Sequence, residues 1–491
     1  MYSCRFIFTG LLLSLAMLTA FAKDNLSSQG CRRGTPRPQS MPLRRGGSVD
    51  RIPGGDYYRG ERHQLTVLVA FNDRSFIGDE AATLEKWDKI FNTKDYREDS
   101  YMGSVHDYFY DQSYGDFSLV FDLVYVQVPG DAKKYASTAS DDENSQYLVE
   151  DIVDILKTQD IDWDIYDWNS DGYVNQLLII YAGEGMNVSS EDYTIWPHQW
   201  WMSEHLLNGQ QGVYCEPIPV SSGEKDYLVD SYCCVQEIVN SEYYSTPFGT
   251  ICHEYSHCFG FPDFYANGLV KTVDNWDLMD MGNYNGDGYH PAGYSAHERW
   301  LMGWLEPIEL EETTTITDMP ALADQGRAYL IRNDGYESEY YMVENRQPMG
   351  WDVSLPGSGI LIFHIDFDPS VWTSTKVTPN SYDRKRYDIF HANKSIASLS
   401  GWAYPYQENN SLTNTSSPAA TLWNDNVDGT KLMFKPITNM SVTNGLASFD
   451  FTVTATGMNE VTTGSEQLLY HFGMVDIIRD AKGNIRKQIR K

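Results

Sequence analysis

Basic residues are scarce in this sequence. Its 491 residues include 37 Lys and Arg against 68 Asp and Glu, which gives a formal net charge of -31 at pH 7. Because a protein binds the phosphates of DNA or RNA through a basic face, this balance excludes nucleic acid as an expected partner. The acidity does not indicate disorder, since 42% of the residues are hydrophobic and 14% are aromatic, enough for packed interiors.

Two motifs are also lacking. The seven cysteines contain no C-x-x-C pair, which excludes a cysteine zinc ribbon, and no G-x-S-x-G sequence marks a serine hydrolase. Cys252 and Cys258 are predicted to be small core residues rather than metal ligands. Cys31 has two interpretations: its thiolate holds a metal ion in a latent form of the protein, or the residue is incidental.

Long apolar runs are lacking after the N-terminus. The run Phe6–Ala22 follows a short basic region and ends in an A-x-A cleavage site, so residues 1–22 are predicted to be a signal peptide. An uncleaved membrane anchor is the alternative, but the run is shorter than the about 20 residues that span a bilayer. We therefore expect export, with transit through a periplasm, to the medium or the cell surface. The mature chain is expected to have no transmembrane segment.

Shifts in composition divide the chain. Its length predicts about two to four domains. Residues 23–60, rich in Arg, Gly and Pro, are predicted to be a pro-segment or linker. Residues 61–305 mix helix and strand patterns, which predicts an α+β catalytic domain with a mixed sheet and an active-site helix. Residues 306–456 contain short strands between turn residues, typical of an all-β sandwich-like domain. Residues 457–491 form a tail that is a hairpin, a sorting signal or a frayed end.

Local patterns within residues 61–305 predict individual helices and strands. Residues 145–159 have apolar side chains at helical spacing, and residues 174–185 form an apolar run typical of a buried strand. A helix followed by a turn at Gly115 and a long strand is predicted for residues 103–128.

The stretch ICHEYSHCFGFPDFY carries a candidate metal site. A helix predicted to start at Pro247, with a hydroxyl cap from Thr246 or its neighbour, places His253 and His257 one turn apart on one face. Both imidazoles can then converge on one metal ion. Glu254 lies beside the first histidine, where its carboxylate can take a proton from a water molecule that zinc activates.

A turn and a carboxylate follow this helix. Gly260 suits the positive-φ ending that turns the chain back, and Asp263 falls ten residues after His253, where it could present a third ligand. An amphipathic helix with packed histidines is the alternative. The combination of two histidines, a glutamate, a glycine and a carboxylate favours the metal site.

Methionines follow in a polar, glycine-containing stretch. Met279 or Met281 could form a methionine turn beneath the metal, and ordinary core methionines are the alternative. Tyr284, just beyond, could donate a hydrogen bond to the oxyanion that develops during peptide hydrolysis, or it is a structural tyrosine.

These motifs resemble those of the immune inhibitor A-type metallopeptidases, which are secreted bacterial zinc enzymes. HEYSHCFGFPDFY is followed by WDLMDMGNYNG and SAHERWLMGWLEP, and the resemblance covers about residues 63–370. It implies a zincin-like fold, extracellular cleavage of proteins or peptides, bound zinc and often calcium. It also implies that His253 and His257 bind zinc, that Glu254 is the general base, and that Asp263 matches the Gly-x-x-Asp end of the motif.

The third zinc ligand has more than one candidate. Asp263 is the preferred one, because carboxylates bind zinc directly. It would instead orient a histidine if it lay in the second shell. In that case the candidates lie downstream, at His290, His297 and Glu298.

A second metal site is suggested upstream. Asp167, Asn169, Asp171 and Tyr173 occupy alternate positions of a loop that resembles the first half of an EF-hand and could bind calcium. The twelfth position is Leu178 rather than glutamate, so the loop is not an EF-hand, and a plain turn is the alternative.

The sequence as a whole predicts a monomeric, secreted zinc endopeptidase that acts on proteins or peptides. The rival interpretation is a non-catalytic adhesin, or a glycan- or protein-binding protein, on a zincin scaffold. Glu254 argues against this rival, because a binding protein has no chemical use for a general base.

Overall fold

The computed structural model describes most of the chain between residues 56 and 453. The described residues are 56–136, 144–189, 191, 193–207, 210, 212–239, 246–266, 271–324, 326–374 and 377–453, together with the strands 467–472, 475–479 and 485–489. The predicted signal peptide, Cys31 and the rest of residues 23–55 lie outside the described residues. Within the described parts, no helix has the length and apolar character needed to cross a bilayer.

The α-helices are short. In chain order they are α1 (Glu80–Asn92), α2 (Val105–Gln112), α3 (Ala132–Tyr135), α4 (Ser145–Leu156), α5 (Gly249–Cys258), α6 (Ala296–Leu301) and α7 (Pro369–Trp372). Between them lie 3-10 segments, which are Asp56–Tyr58, Trp163–Tyr166, Met202–Glu204, Asp274–Trp276, Gly282–Gly288, Leu322–Asp324, Gly350–Ser354 and Leu399–Gly401.

The strands are more numerous than the helices. Those before α5 are β1 (Gly60–Ala70), β2 (Phe117–Gln127), β3 (Tyr173–Val174), β4 (Leu177–Glu184), β5 (His198–Trp201), β6 (Ile218–Ser222), β7 (Lys225–Val229) and β8 (Ser231–Ile238). Those after α6 are β9 (Ile308–Glu309), β10 (Thr314–Met319), β11 (Tyr329–Asn333), β12 (Tyr336–Arg346), β13 (Gly359–Asp366), β14 (Tyr387–Ile389), β15 (Ile437–Thr443), β16 (Leu446–Phe451), β17 (Gln467–Phe472), β18 (Val475–Arg479) and β19 (Ile485–Ile489).

The predicted helix–turn–strand unit near residue 110 is confirmed. The helix α2 begins with a capping box, in which Ser104 and Asp107 satisfy each other's backbone N–H groups. Gly115 has φ +84° at the turn, a conformation that glycine adopts without steric cost. The strand β2 starts two residues later. The predicted helix at 145–159 corresponds to α4, which ends three residues earlier than expected.

The strands before α5 build a five-stranded sheet in the order β2-β1-β4-β8-β5. The first four strands run parallel, and β5 is an antiparallel edge strand paired with β8. Helices and strands are mixed in this part of the chain, as the sequence predicts. The other three strands before α5 form a smaller sheet in the order β3-β7-β6.

Both faces of the five-stranded sheet are covered, which explains the apolar run in β4. Leu178 and Ile180 belong to a core cluster shared with α5, whereas Leu177 and Ile179 belong to a second cluster shared with α4. All four are fully buried, and each contributes about 1.5–3 kcal/mol through the apolar area removed from water. The sheet therefore holds α5, which carries the histidine motif, on one face and α4 on the other.

The chain after α6 is dominated by strands. A five-stranded sheet, β14-β13-β12-β11-β9, and a three-stranded sheet, β10-β16-β15, share a core cluster. Tyr341 and Val343 of β12 face this cluster, whereas Tyr340 and Met342 face the cluster that contains α5. The hydrophobic core thus continues across residue 305. A separate all-β domain at 306–456 stays a prediction.

The C-terminal tail contains more structure than a hairpin. Its strands form an antiparallel sheet in the order β17-β18-β19. A sorting role for the tail stays a prediction.

Candidate metal centre

The motif helix α5 begins differently from the prediction. Its first residue is Gly249, and the N-cap residue Phe248 makes no side-chain cap hydrogen bond. The predicted start at Pro247 with a hydroxyl cap from Thr246 is wrong, because the helix begins two residues later, and the Thr246 hydroxyl accepts a hydrogen bond from Lys86 Nζ at 2.9 Å. Ser245, the other predicted cap, lies outside the described residues. The close packing of residue 249 against the Asn283 backbone explains where the helix starts. A Cβ at Gly249 would lie 1.9 Å from the Asn283 carbonyl oxygen, so only glycine permits this close approach.

His253 and His257 lie on one face of α5, as their spacing predicts. Their ring centroids are 5.0 Å apart, and the rings are nearly perpendicular. The Nδ1 atom of His253 lies 2.8 Å from the Leu278 carbonyl oxygen, and that of His257 lies 2.7 Å from the Phe261 carbonyl oxygen. A carbonyl oxygen only accepts, so each Nδ1 carries the proton and each Nε2 offers a lone pair, as a metal ligand requires.

Asp263 lies opposite both lone pairs. Its Oδ1 atom is 3.1 Å from His253 Nε2 and 3.3 Å from His257 Nε2. Although it is buried, this oxygen has no partner with hydrogen-bond geometry. Ligand atoms about 2.0–2.1 Å from a tetrahedral zinc ion are about 3.3 Å from one another, so the two distances from Asp263 Oδ1 suit atoms that share a zinc ion.

The loop that brings Asp263 back begins at Gly260. This glycine has φ +99°, and its N–H donates to the His257 carbonyl oxygen at 2.9 Å. The predicted positive-φ helix ending is therefore confirmed. At the other side of the carboxylate, Tyr265 donates a hydrogen bond from its hydroxyl to Asp263 Oδ2 at 2.9 Å.

Glu254 is the next ionisable group at the site. Its carboxylate forms, with His253 and His257, a group whose possible ligand atoms all lie within 4.8 Å of one another. Glu254 Oε2 is 4.0 Å from His257 Nε2, and the residue is only 8% exposed. A general base at this site must be close to the metal without replacing a ligand, and the position of Glu254 meets that requirement.

The charges at the site favour a cation. Burial lowers the pKa of His253, but the carboxylates of Asp263 and Glu254 outweigh burial and raise this pKa to about 9. Burial likewise raises the pKa of Asp263, but His257 and His253 outweigh it and hold this pKa well below its usual range. The carboxylate is therefore ionised, and a metal ion would replace the proton that His253 otherwise carries at Nε2.

The segment with the predicted methionine turn passes next to this site. The Leu278 carbonyl accepts from His253, and the Met279 carbonyl accepts from the N–H of Phe264, which follows Asp263, at 2.8 Å. Met279 is fully buried, whereas Met281 is partly exposed. The role of either side chain as a floor beneath the metal stays a prediction.

The downstream candidates for the third ligand are engaged elsewhere. His290 contacts Ser354 Oγ at 2.7 Å, and the Nδ1 atom of His297 lies 3.2 Å from the Tyr340 hydroxyl. Burial lowers the pKa of His297 to about 3, so this ring is neutral. Glu298 caps the N-terminus of α6. The structure thus brings Asp263 to the histidines, whereas the contacts described for these three residues are with other groups.

Tyr284 lies in the segment Gly282–Gly288, which packs on α5. Its predicted role as an oxyanion donor stays a prediction.

The predicted calcium loop has the form of a turn. Asp167 accepts hydrogen bonds from the N–H groups of Asp171 and Gly172 at 3.1 and 2.9 Å. Asp171 accepts from the N–H of Tyr173 at 3.0 Å, and Asn169 donates to Asp171 Oδ2 at 3.1 Å. These contacts suit the turn that the sequence offers as the alternative. Calcium binding stays a prediction.

The cysteines among the described residues are buried and form no disulfide bond, and they are Cys215, Cys233, Cys234, Cys252 and Cys258. Cys252 and Cys258 belong to the core cluster that contains α5, so their predicted packing role is confirmed.

The sequence did not predict which groups hold the candidate metal ligands in place. These groups are the Tyr265 hydroxyl and the carbonyls of Leu278 and Phe261. Tyr265 gives a weak signal, because it follows Asp263 by two residues in an aromatic pair. The carbonyls of Leu278 and Phe261 give none, since every residue has a carbonyl and only the fold selects these two.

Comparison with known proteins identifies a family for part of the chain. No curated protein matches the chain. A family model described as immune inhibitor A peptidase M6, catalytic domain, matches residues 64–304, the region that contains α5 and Asp263. The family implies a peptidase that depends on a metal and acts on proteins or peptides, and it confirms the resemblance of the motifs. Over residues 64–304, the chain belongs to the immune inhibitor A peptidase M6 family.

Proposed function

We propose that the protein is a secreted zinc endopeptidase in which His253, His257 and Asp263 hold the metal. The observation that carries this proposal is the approach of Asp263 Oδ1 to both Nε2 atoms, at 3.1 and 3.3 Å. A buried, ionised oxygen is costly unless a cation lies next to it, and a metal ion shared with the two Nε2 atoms would supply that cation.

Bound zinc would supply a Lewis acid that polarises the scissile carbonyl and lowers the pKa of the attacking water. Glu254 takes the proton of that water and delivers it to the leaving amine. The backbone carbonyls of Leu278 and Phe261 hold both imidazoles in the tautomer that keeps Nε2 free. Tyr284 is the proposed donor to the developing oxyanion.

The substrate is an extended peptide. The edge strand β5 borders the sheet that packs on α5, and an edge strand can pair with an added chain through its backbone groups. Binding through the backbone suits an endopeptidase, because it accepts many sequences.

Export and calcium binding complete the proposal. Residues 1–22 direct secretion through a periplasm as a cleaved signal peptide, and the exported chain acts as a monomer at the cell surface or in the medium. Calcium binds the loop of Asp167, Asn169, Asp171 and Tyr173, which is supported by the buried Asn169 Oδ1 atom without a hydrogen bond.

Cleavage of an unfolded protein substrate tests the catalytic assignment. The unaltered protein should lose activity with a chelator and regain it with zinc. Glu254→Gln should retain zinc and lose about 10²–10⁴-fold in kcat, because only the base is removed. Glu150→Gln, on α4 at the opposite face of the sheet, is the matched control and should keep full activity. Equal cleavage by the unaltered protein and Glu254→Gln would contradict the role of Glu254 as the general base. No cleavage by either protein would leave the non-catalytic binding protein as the better explanation.

A further inference from the structure

The chain that follows Asp263 is held by side chains from beyond the matched catalytic segment, residues 64–304. The Phe264 carbonyl oxygen accepts a hydrogen bond from Asn380 Nδ2 at 2.6 Å. The Phe264 ring stacks on Tyr387 with a centroid distance of 4.0 Å and an interplanar angle of 25°. Both contacts act on the residue directly next to the third metal ligand.

Asn380 is firmly attached to β14. Besides its bond to Phe264, its Nδ2 donates to the Tyr387 carbonyl at 2.7 Å, and its Oδ1 accepts from the Tyr387 N–H at 2.9 Å. Asn380 is 1% exposed. Two carbonyl acceptors and one N–H donor fix the orientation of the amide, so Asn380 joins β14 rigidly to the chain beside the metal site.

Tyr387 supports the site by a second route. Its hydroxyl donates to Asp277 Oδ2 at 2.9 Å, and the other oxygen of this carboxylate, Oδ1, accepts from the N–H of Met279 at 2.8 Å. Asp277 is fully buried. The tyrosine thus holds the carboxylate that orients the peptide between Leu278 and Met279.

That peptide and the one after it contact the two sides of the metal site. The Leu278 carbonyl accepts from His253 Nδ1, and the Met279 carbonyl accepts from the Phe264 N–H at 2.8 Å. A shift of Tyr387 would therefore displace the carbonyl groups of Leu278 and Met279. The first of these holds His253, and the second holds Phe264, the residue after Asp263.

We propose that Asn380 and Tyr387 are positioning residues for the metal centre, so that residues beyond 304 are needed to set the ligand geometry. This inference rests on the proposed function, because it takes His253 and Asp263 as metal ligands. Neither Asn380 nor Tyr387 is one of the proposed metal ligands, and both act through other residues.

The local chain explains why such support is needed. His253 is fixed by the hydrogen bonds of α5, whereas Asp263 lies in a segment without regular secondary structure. The position of Asp263 Oδ1 therefore depends on the contacts of its neighbours. Loss of outer contacts to metal ligands weakens metal binding about 10–100-fold in comparable sites.

Zinc affinity of the full chain tests the inference. The substitution Tyr387→Phe keeps the ring that stacks on Phe264 and removes the hydroxyl that holds Asp277. Asn380→Ala removes the other support. The matched control is Tyr341→Phe, on β12 of the same sheet: Tyr341 is also fully buried and donates its hydroxyl to the Thr421 carbonyl at 2.7 Å, on the face turned away from α5.

Zinc dissociation constants should be measured by competition with a chelator, with circular dichroism to select temperatures at which every protein is folded. We expect about tenfold weaker zinc binding for Tyr387→Phe and for Asn380→Ala, and unchanged binding for Tyr341→Phe. A role in stability alone would lower the unfolding temperature of all three variants and leave the dissociation constants equal.

Equal zinc affinity of Tyr387→Phe, Asn380→Ala and the unaltered protein would overturn the inference and leave the proposed function intact. If Tyr387→Phe does not fold, the comparison of Asn380→Ala with Tyr341→Phe decides. Failure of the unaltered protein to bind zinc, or zinc binding that His253→Ala does not reduce, would overturn the proposed function and the inference with it.

Discussion

Tyr265 donates a hydrogen bond from its hydroxyl to Asp263 Oδ2, at 2.9 Å, while the other carboxylate oxygen is directed toward the two histidines. The phenol therefore occupies the oxygen that the proposed metal ion would leave free. It holds the carboxylate in the orientation of a ligand that binds through a single oxygen, Oδ1.

The substitution Tyr265→Phe should weaken zinc binding about tenfold and leave the fold intact, because it removes one hydroxyl and keeps the ring. Zinc affinity is measured by chelator competition. Tyr166→Phe is the matched control, since Tyr166 also donates to a carboxylate, Asp122 Oδ2, at 3.0 Å but has no contact with the metal site. Equal losses in the two variants would contradict a specific role for Tyr265.

Arg346 is expected to contribute strongly to the stability of the fold. It is fully buried and binds Asp352 with two hydrogen bonds, Nε to Oδ2 at 2.7 Å and Nη2 to Oδ1 at 2.6 Å, while Nη1 donates to Glu344 at 3.1 Å. Arg346→Met should destabilise the protein by about 3–5 kcal/mol, because two buried carboxylates lose their cation. Urea unfolding at neutral pH measures the change.

A partly exposed ion pair gives the control for this prediction. Arg332 Nε lies 3.0 Å from Glu309 Oε2, and the two side chains are 20% and 35% exposed. Arg332→Met should cost less than about 1 kcal/mol, because solvent screens the pair. A similar loss of stability in Arg332→Met and Arg346→Met would contradict the larger stabilising effect that we expect for the buried ion pair.

The parts of the site that the sequence predicts are those encoded locally. His253 and His257 converge because helical spacing brings residues four apart to one face. Glu254 lies near His257 because residues three apart are also neighbours on a helix, and Gly260 turns the chain so that Asp263 returns ten residues after His253. Elements such as α4 were predicted for the same reason, from the spacing of their own apolar residues.

The contacts that fix the ligands depend on distant parts of the chain. Asn380 reaches Phe264 across 116 positions, and Tyr387 reaches Asp277 across 110. No periodicity links such residues, so their partners follow only from the packing of the later sheet on α5. The start of α5 at Gly249 was missed for the same reason, since the nearby Asn283 backbone determines it.

The calcium loop yields a prediction that is independent of zinc. Asn169 Oδ1 has no hydrogen bond, and the carboxylates of Asp167 and Asp171 lie in the same turn. Calcium added to the zinc-loaded protein should raise its unfolding temperature through preferential binding to the folded state. Asp167→Asn should abolish this increase, whereas Asp226→Asn, on the hairpin strand β7, should keep it. An unfolding temperature that calcium does not change would favour the plain turn.

Ionisation of Asp280 should make the stability of the protein depend on pH. It is 5% exposed, and its Oδ2 accepts from Thr272 Oγ1 at 2.8 Å and from the Asp274 N–H at 2.6 Å. Burial, together with the carboxylates of Asp274 and Asp277, raises the pKa of Asp280 from 3.8 to about 7. Between these two values the folded protein keeps a proton that the unfolded chain releases, so the contribution of Asp280 to stability falls as the pH rises.

The substitution Asp280→Asn removes this titration and keeps an acceptor oxygen for both hydrogen bonds. At about pH 4 the variant and the unaltered protein should differ little, because the carboxyl group is protonated in the folded state. Above about pH 7 the variant should be more stable by on the order of 1–4 kcal/mol, at 1.36 kcal/mol per pKa unit. Urea unfolding of the metal-free proteins across this range measures the difference. Asp88→Asn, at an exposed position of α1, should leave the pH dependence unchanged, and a constant difference between Asp280→Asn and the unaltered protein at every pH would contradict the raised pKa.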